Sequence, residues 1–301
     1  MSFWVVTDAC CDLPASFLQE ARNVLVVPMN YQIDGTEKEL NPQGENVEQE
    51  MRMFYQQLLD GAMATTFQIS HQSWIDALVP LCEAGHDVLV IVFSSGLSGT
   101  CESAISACQE LSERFPDRKV MAVDSLCASM GEGLLVHYIL AEREKGRSIE
   151  ECYQFALETV PRMNHWFTVA DLRFLRRGGR ISASSAYLGS ILKIKPVINA
   201  DPKGKLILRD KVQGRKRSLR ALFEKAEEFA VKPQAQTMYI SHADYEEGAQ
   251  WLATRLKLEL HVQEVVVSMI GPIIGTHTGP GAVALFFLDD HGEGRLTPPE
   301  P

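Results

Sequence analysis

The stretch DVLVIVFSSGLSGT, residues 87–100, decides the fold class of this chain. It begins with an apolar, β-branched run of strand length, and the serines and glycines that follow predict a loop. A helix is then predicted from about Thr100 to Arg114. The same order of apolar strand, polar residue and helix recurs at Phe3–Thr7 with Asp8 and at Lys119–Asp124 with Ser125. This alternation predicts a mostly parallel sheet with helices on its faces.

The sequence after about residue 160 predicts a different organisation. A β-hairpin is predicted within Lys195–Arg209, followed by a basic helix at about Arg215–Ala230. We therefore expect an α/β protein of two domains. Residues 1–160 form a mostly parallel sheet flanked by helices, and residues 161–301 form an α+β domain with a mixed sheet. A ligand pocket is expected between the two domains.

Three segments carry turn and loop signals. Val24–Ile33 is predicted to be one strand that enters a tight hairpin at Asp34-Gly35. The segment GTHTGPG, residues 275–281, is predicted to be a glycine-rich loop, and a tight turn alone would not require its histidine. The segment RRGGRIS, residues 176–182, places guanidinium groups beside two glycines. That pattern suits a carboxylate or phosphate ligand, and it equally suits a helix end with solvated arginines.

Length and composition exclude several classes of protein. The chain has 301 residues, of which 46% are hydrophobic and 23% are charged, which excludes disordered, collagen-like and coiled-coil chains. No apolar run is long enough to span a membrane, and the N-terminus lacks the basic region of a signal peptide. Seven scattered cysteines without a C-x-x-C pair predict reduced, buried thiols. We expect a cytoplasmic protein without stable membrane insertion.

The charge is unevenly distributed along the chain. The net charge is −10, yet residues 171–220 contain 14 Lys and Arg against three Asp, so this window carries +11 and the remainder −21. An acidic remainder argues against nucleic acid as a partner of the whole molecule. The window itself predicts either a solvated basic surface or a docking face for an acidic partner.

Polar residues follow the predicted parallel strands at Thr7-Asp8, Ser94-Ser95 and Asp124-Ser125. Ligands of open parallel sheets bind outside the carboxyl ends of the strands, and helix N-termini there favour anions. The loop from Ser94 to Thr100 is the strongest candidate, because its glycines let the backbone approach a ligand and its hydroxyls can donate. Serine and glycine also serve as ordinary caps and turns.

Common catalytic and cofactor patterns are absent from the sequence. There is no G-x-S-x-G nucleophile elbow, no phosphate loop, no dinucleotide fingerprint and no H-x-x-x-H pair. We therefore expect no cofactor and no metal ion. Ser95 with His277 remains a hypothetical nucleophile and base of an acyl hydrolase or transferase, although no acid is evidently placed to orient the histidine.

Seven colinear motifs, which extend over nearly the whole chain, resemble the DegV family. They are VTD (6–8) with DLP (12–14), TTFQ (65–68), SSGLSGT (94–100), DS (124–125), GGRIS (178–182), KIKP (193–196) and GTHTGPG (275–281). The resemblance implies a two-domain α/β protein that binds one long-chain fatty acid, such as palmitate or oleate, and has no catalytic activity of its own. It also implies a fatty acid kinase as partner, to which the bound acid is presented for phosphorylation of its carboxylate.

The resemblance also implies which residues bind the ligand. The carboxylate contacts fall on Thr66 and Ser95. Further residues are expected near the head group: Thr65, Ser94, Ser125, Arg180 and His277.

This chain departs from the family pattern at two places. The family reads Thr-Ser-Gln-Pro where this chain has Thr66-Phe67-Gln68-Ile69, so the wall beside the threonine is altered. Kinase-coupled members read Lys-Val-Arg where this chain has Lys211-Val212-Gln213. The missing arginine is associated with phosphoryl transfer, and Arg215 is the candidate substitute. A phosphate-sugar binder related in fold to dihydroxyacetone kinases is a further alternative.

Overall fold

The computed structural model describes residues 3–181 and 194–296. Ser182 and Lys193, which belong to two of the family motifs, lie outside the described residues. The strands are β1 (Trp4–Asp8), β2 (Val24–Val27), β3 (Met29–Ile33), β4 (Thr36–Leu40), β5 (Ala64–Thr66), β6 (Val88–Val92), β7 (Val120–Asp124), β8 (Met163–Thr168), β9 (Ile194–Ala200), β10 (Leu206–Gln213), β11 (Thr237–His242), β12 (Glu264–Met269) and β13 (Val283–Leu288). The helices are α1 (Ala15–Glu20), α2 (Val47–Leu59), α3 (His71–Glu83), α4 (Thr100–Arg114), α5 (Met130–Glu144), α6 (Ile149–Thr159), α7 (Arg173–Arg177), α8 (Arg215–Phe229), α9 (Glu246–Glu259) and α10 (Pro272–Thr278).

The N-terminal half contains the predicted parallel sheet, with strand order β2-β1-β6-β7. Every residue of β6 is buried. A strand covered on both faces reads as a continuous apolar run rather than an alternating one, which explains the VLVIV pattern. The α/β expectation for this half is confirmed.

The C-terminal half contains a six-stranded sheet with the order β10-β9-β8-β13-β11-β12. β11 and β12 pair in parallel, and the other neighbours pair antiparallel. The predicted hairpin is present, but β10 extends to Gln213, beyond the expected end at Arg209. The expected mixed sheet is confirmed.

The expectation of one strand over Val24–Ile33 is wrong. Pro28 separates β2, which joins the parallel sheet, from β3, which belongs to a small antiparallel sheet with order β4-β3-β5. Proline has no N–H to donate to a strand ladder, so the chain changes sheets at this residue. The small sheet pairs Tyr31 of β3 with Thr66, and in this way it fixes the position of the threonine.

The expectation of a loop over residues 275–281 is also wrong in its first half. Residues 272–278 form α10, with Pro272 in the first turn, where the missing N–H is not needed. The helix ends at Gly279, whose φ of 70° is readily adopted only by glycine. His277 therefore lies in the last turn of a helix, and the RRGG segment similarly begins within α7.

The two halves share a hydrophobic core. Its largest cluster joins buried residues of the parallel sheet to Tyr239, Phe286 and others of the six-stranded sheet. Hydrogen bonds also cross between the halves: the hydroxyl of Tyr55 donates to the carbonyl of Ile270 (2.7 Å), and the N–H of Gly271 donates to Oδ1 of Asp12 (2.8 Å). The domain boundary near residue 160 stays a prediction.

The seven cysteines are buried and unpaired, as the sequence predicts. Within residues 3–181 and 194–296, no helix is both long enough and apolar enough to cross a membrane.

Candidate functional site

A cavity of about 420 Å³ lies between the two halves of the molecule. Most of its wall is apolar. Its polar side chains are those of Cys10, Thr66, Gln68, Ser98, Ser129, His165, Arg180, His277 and Thr278. Its apolar wall is formed by Met29, Phe67, Phe93, Leu97, Ala128, Phe167, Leu175, Leu206, Ile270, Ile273, Ile274, Ala282 and Ala284. The volume falls within the range of pockets that hold small organic ligands.

Thr66 and His277 meet at the cavity wall. The hydroxyl of Thr66, at the end of β5, lies 2.9 Å from Nε2 of His277 in α10. Burial, together with the charges of Arg180 and Arg177, lowers the pKa of His277 to about 4. The imidazole is therefore neutral at pH 7, and Nδ1 has no hydrogen-bond partner among the described residues. A hydroxyl and a neutral imidazole together offer a polar contact for a ligand head group.

Gly178 is required by its close approach to His277. A side chain at this position would collide with the imidazole ring at Nδ1. The same turn presents Arg180, whose guanidinium donates to the carbonyls of Leu97 (3.2 Å) and Gly178. These bonds fix a positive charge at the cavity wall near His277. The predicted head-group residues Arg180 and His277 are thus brought together with Thr66.

The loop between β6 and α4 is locked by its glycines and serines. A side chain at Gly96 would collide with the backbone of Lys203 and Gly204 in the β9–β10 turn. Ser94 is buried and donates its hydroxyl to the carbonyl of Gly204 (3.0 Å). Because this loop is pinned to the C-terminal half, its geometry depends on both halves of the chain.

Ser95 and Ser98 occupy different sides of this loop. Ser98 lines the cavity, and its hydroxyl lies 3.0 Å from that of Thr100. Ser95 is exposed, does not line the cavity, and donates its N–H to Oδ1 of Asp124 (3.2 Å). A carboxylate contact from Ser95 stays a prediction, and Ser98 is a lining hydroxyl that the sequence analysis missed.

Three other residues expected near the head group do not line the cavity. Thr65 is exposed, because it points to the opposite face of β5 from Thr66. Ser94 bonds to Gly204 as described, and the buried hydroxyl of Ser125 accepts from the N–H of Cys127 (3.2 Å). Ser94 and Ser125 therefore stabilise the loops that follow β6 and β7.

The hypothetical dyad of Ser95 and His277 is not assembled. Nε2 of His277 is bonded to Thr66, and no carboxylate hydrogen-bonds to Nδ1 among the described residues. The hydroxyl of Ser95 lies outside the cavity. An orienting acid and a nucleophile within reach of the imidazole are both needed for this chemistry.

One buried acid, Asp12, contacts Ser129 of the cavity wall. Oδ2 of Asp12 accepts a hydrogen bond from the hydroxyl of Ser129 at 2.5 Å, and Oδ1 accepts one from the N–H of Gly271, which immediately precedes α10. Burial outweighs the opposing hydrogen bonds from Ser129 and Gly271 and raises the pKa of Asp12 to about 7. These contacts position Ser129 and α10 at the cavity.

In the part of the chain that the structure describes, no group of His, Cys, Asp or Glu is arranged to hold a metal ion.

Gln213 and Arg215 lie apart from the head-group residues. Gln213 is exposed at the end of β10 and does not line the cavity. The guanidinium of Arg215 donates to the carbonyl of Gly281 and lies 4.6 Å from the ring centre of Tyr245. Arg215 therefore holds the turn that follows α10, which limits its freedom to substitute for an arginine at 213.

A sequence model of the DegV family matches residues 2–290. This chain belongs to the DegV family. A DegV domain-containing protein of Clostridium perfringens is 37% identical over 296 residues, which cover 97% of this chain and 99% of that protein.

Solved structures of DegV proteins share the fold over nearly the full length of this chain. A Thermus thermophilus DegV protein described as fatty-acid-binding has a TM-score of 0.85 at 28% identity, covering 96% of this chain and 100% of that one. A Thermotoga maritima protein, whose structure is described as revealing a fatty acid binding function, has a TM-score of 0.82 at 27% identity with the same coverage.

Proposed function

We propose that this chain binds one long-chain fatty acid, with the tail in the cavity and the carboxylate beside Thr66, His277 and Arg180. The observation that supports this most strongly is a mostly apolar cavity whose wall contains one cluster of hydroxyl, imidazole and guanidinium groups. The solved DegV relatives described as binding fatty acids add support.

The energetics fit an apolar ligand held in place by a few polar contacts. Burial contributes roughly 0.8 kcal/mol per methylene, so a tail of ~14 methylenes gains about 11 kcal/mol before the cost of ordering it. The fixed positive charge of Arg180 attracts a carboxylate, whereas hydrogen bonds to Thr66 fix its position. The tail therefore supplies most of the affinity, and the head group determines the orientation.

A second hydroxyl from the β6–α4 loop completes the proposed carboxylate site. The family resemblance favours Ser95, whereas Ser98 is the serine that lines the cavity. Binding of palmitate to Ser95→Ala and Ser98→Ala separates the two, because the affinity should fall only for the serine that contacts the carboxylate. The other variant serves as the matched control.

We also propose that the protein presents its ligand to a fatty acid kinase rather than acting as an enzyme itself. Exposed basic residues of the window 171–220, such as Arg173, Lys211 and Lys216, provide a face for an acidic partner. Gln213 should lower phosphoryl transfer to the bound acid. Formation of acyl phosphate with a kinase present should rise in Gln213→Arg, and an unchanged rate would place the defect elsewhere.

The function is tested by mass spectrometry of an organic extract of the purified protein, followed by titration with palmitate and oleate. We expect a co-purified long-chain acid, or binding of the added acids at one site. An extract without any acyl chain, together with no binding of either acid, would contradict the proposal.

A further inference from the structure

His165 is a polar residue in an otherwise apolar part of the cavity wall. It lies on β8, where alternation places His165 and Phe167 on the same face, and both line the cavity. The rings that surround it are those of Phe167 and Phe286, with centroids at 5.6 and 4.8 Å. Only 4% of the residue is exposed.

The ring of His165 lacks a hydrogen bond that a buried imidazole requires. Its Nδ1 is enclosed and has no partner among the described residues. Arg295, whose positive charge acts on His165, is already engaged with the carbonyls of Leu126 (2.6 Å), Val160 (3.0 Å) and Asp201 (2.9 Å). Nε2 is not enclosed in this way and also has no hydrogen-bond partner among the described residues, so it is the ring nitrogen that a ligand in the cavity can reach. Buried polar groups are normally paired, so an open, unpaired nitrogen in a ligand cavity indicates a partner that arrives with the ligand.

The imidazole is neutral in this environment. Burial, together with the charge of Arg295, lowers the pKa of His165 to about 3. A neutral ring has one N–H donor and one acceptor nitrogen. An alcohol matches the open nitrogen in either tautomer of the ring, because a hydroxyl can both donate and accept.

His165 does not belong to the cluster of Thr66, His277 and Arg180. Its ring contacts are with Phe167 and Phe286. His277 instead meets the hydroxyl of Thr66, and Arg180 donates to the carbonyls of Leu97 and Gly178. With the carboxylate at that cluster, a ligand group that meets His165 belongs to the acyl chain and not to the head group.

We propose that this cavity is built for a fatty acid with a hydroxyl on the interior of its chain, and that His165 is the hydrogen-bond partner of that hydroxyl. The inference rests on the proposed fatty-acid function and narrows its ligand class. A plain aliphatic chain leaves the imidazole unpaired, whereas a hydroxyl at the matching carbon pairs it. An aliphatic or phenyl side chain at position 165 would suit a plain chain better.

The test compares the affinity of wild type and His165→Phe for stearate and for a series of hydroxystearates with the hydroxyl at successive interior carbons. We expect wild type to bind one positional isomer roughly two- to tenfold more tightly than the other hydroxystearates, and at least as tightly as stearate. In His165→Phe the same isomer should bind roughly five- to a hundredfold more weakly than stearate, because its hydroxyl is buried unpaired.

A measurement on the unmutated protein covers the case in which His165→Phe does not fold. The ¹⁵N chemical shifts of the His165 ring should change when the preferred hydroxystearate replaces stearate, whereas those of His277 should not. Stearate binding with no positional preference and no shift at His165 would overturn this inference and leave the proposed function intact. Failure of every fatty acid to bind would overturn the proposed function itself.

Discussion

His277 and His165 line the same cavity, yet their surroundings assign them different tasks. Both are neutral because burial lowers their pKa values, to about 4 and about 3. His277 contacts Thr66 and lies near the charge of Arg180, so it belongs to a cluster that suits a carboxylate. His165 lies among aromatic rings, and its Nδ1 is unpaired among the described residues. The comparison shows that partners, and not residue type, determine what a buried histidine offers a ligand.

The largest expected effect comes from shortening the tail, which removes contacts with the apolar cavity wall and leaves the proposed carboxylate contacts beside His277 unchanged. Octanoate has eight methylenes fewer than palmitate, so its binding should be weaker by about 6 kcal/mol at roughly 0.8 kcal/mol per methylene. Isothermal titration with octanoate, laurate and palmitate measures this. Nearly equal affinities for the three acids would show that the tail does not enter the cavity.

Lowering the pH should reduce the free energy of unfolding because of both histidines. The loss due to each histidine should end at a different pH. A histidine whose pKa is lowered by folding stabilises the native state above its unfolded pKa of about 6.5, and this contribution is lost as the pH falls toward the folded value. Because His165 takes up a proton only when the chain unfolds, the free energy of unfolding should fall by about 3 kcal/mol between pH 7 and pH 4. This loss should continue down to about pH 3. His277 is less buried and keeps its bond to Thr66. The loss of unfolding free energy due to His277 should therefore be smaller and should level off near pH 4.

Urea unfolding of wild type, His165→Phe and His277→Phe between pH 7 and pH 3 measures these contributions. Each variant should show a smaller loss of unfolding free energy than wild type over the window of its own histidine. Carboxylates titrate in all three proteins and cancel in the difference. Parallel curves for the three proteins would mean that neither histidine is held neutral by folding.

The smallest expected effect comes from removing the hydroxyl of Thr66, which contacts His277. Thr66→Val keeps the shape of the side chain and removes its hydroxyl, so palmitate binding should weaken by about 1–3 kcal/mol, as for hydrogen bonds to charged groups. The adjacent Thr65 is exposed on the other face of the strand, which makes Thr65→Val the matched control. Equal affinities of the two variants would place the carboxylate away from Thr66.

The sequence by itself determined the fold class and the residue types of the proposed head-group cluster. Continuous apolar runs such as Val88–Val92 and their polar ends predicted the parallel sheet, because a strand buried on both faces has no polar alternation. The family motifs led to Thr66, Arg180 and His277, which the structure brings to one cavity. The residue pattern did not predict the break between two strands at Pro28, where the missing N–H interrupts a segment with β-propensity on both sides.

Only the tertiary structure decided which residues face the cavity. Ser95 and Ser98 have the same chemistry and share a loop, and the contacts of Gly96 and Ser94 with the β9–β10 turn determine which hydroxyl lines the cavity. His165 carries no motif at all, since a histidine in an apolar strand reads like any core residue. Its significance arises from residues distant in sequence, which surround it with apolar rings, and burial makes an unpaired nitrogen costly only after the chain has folded.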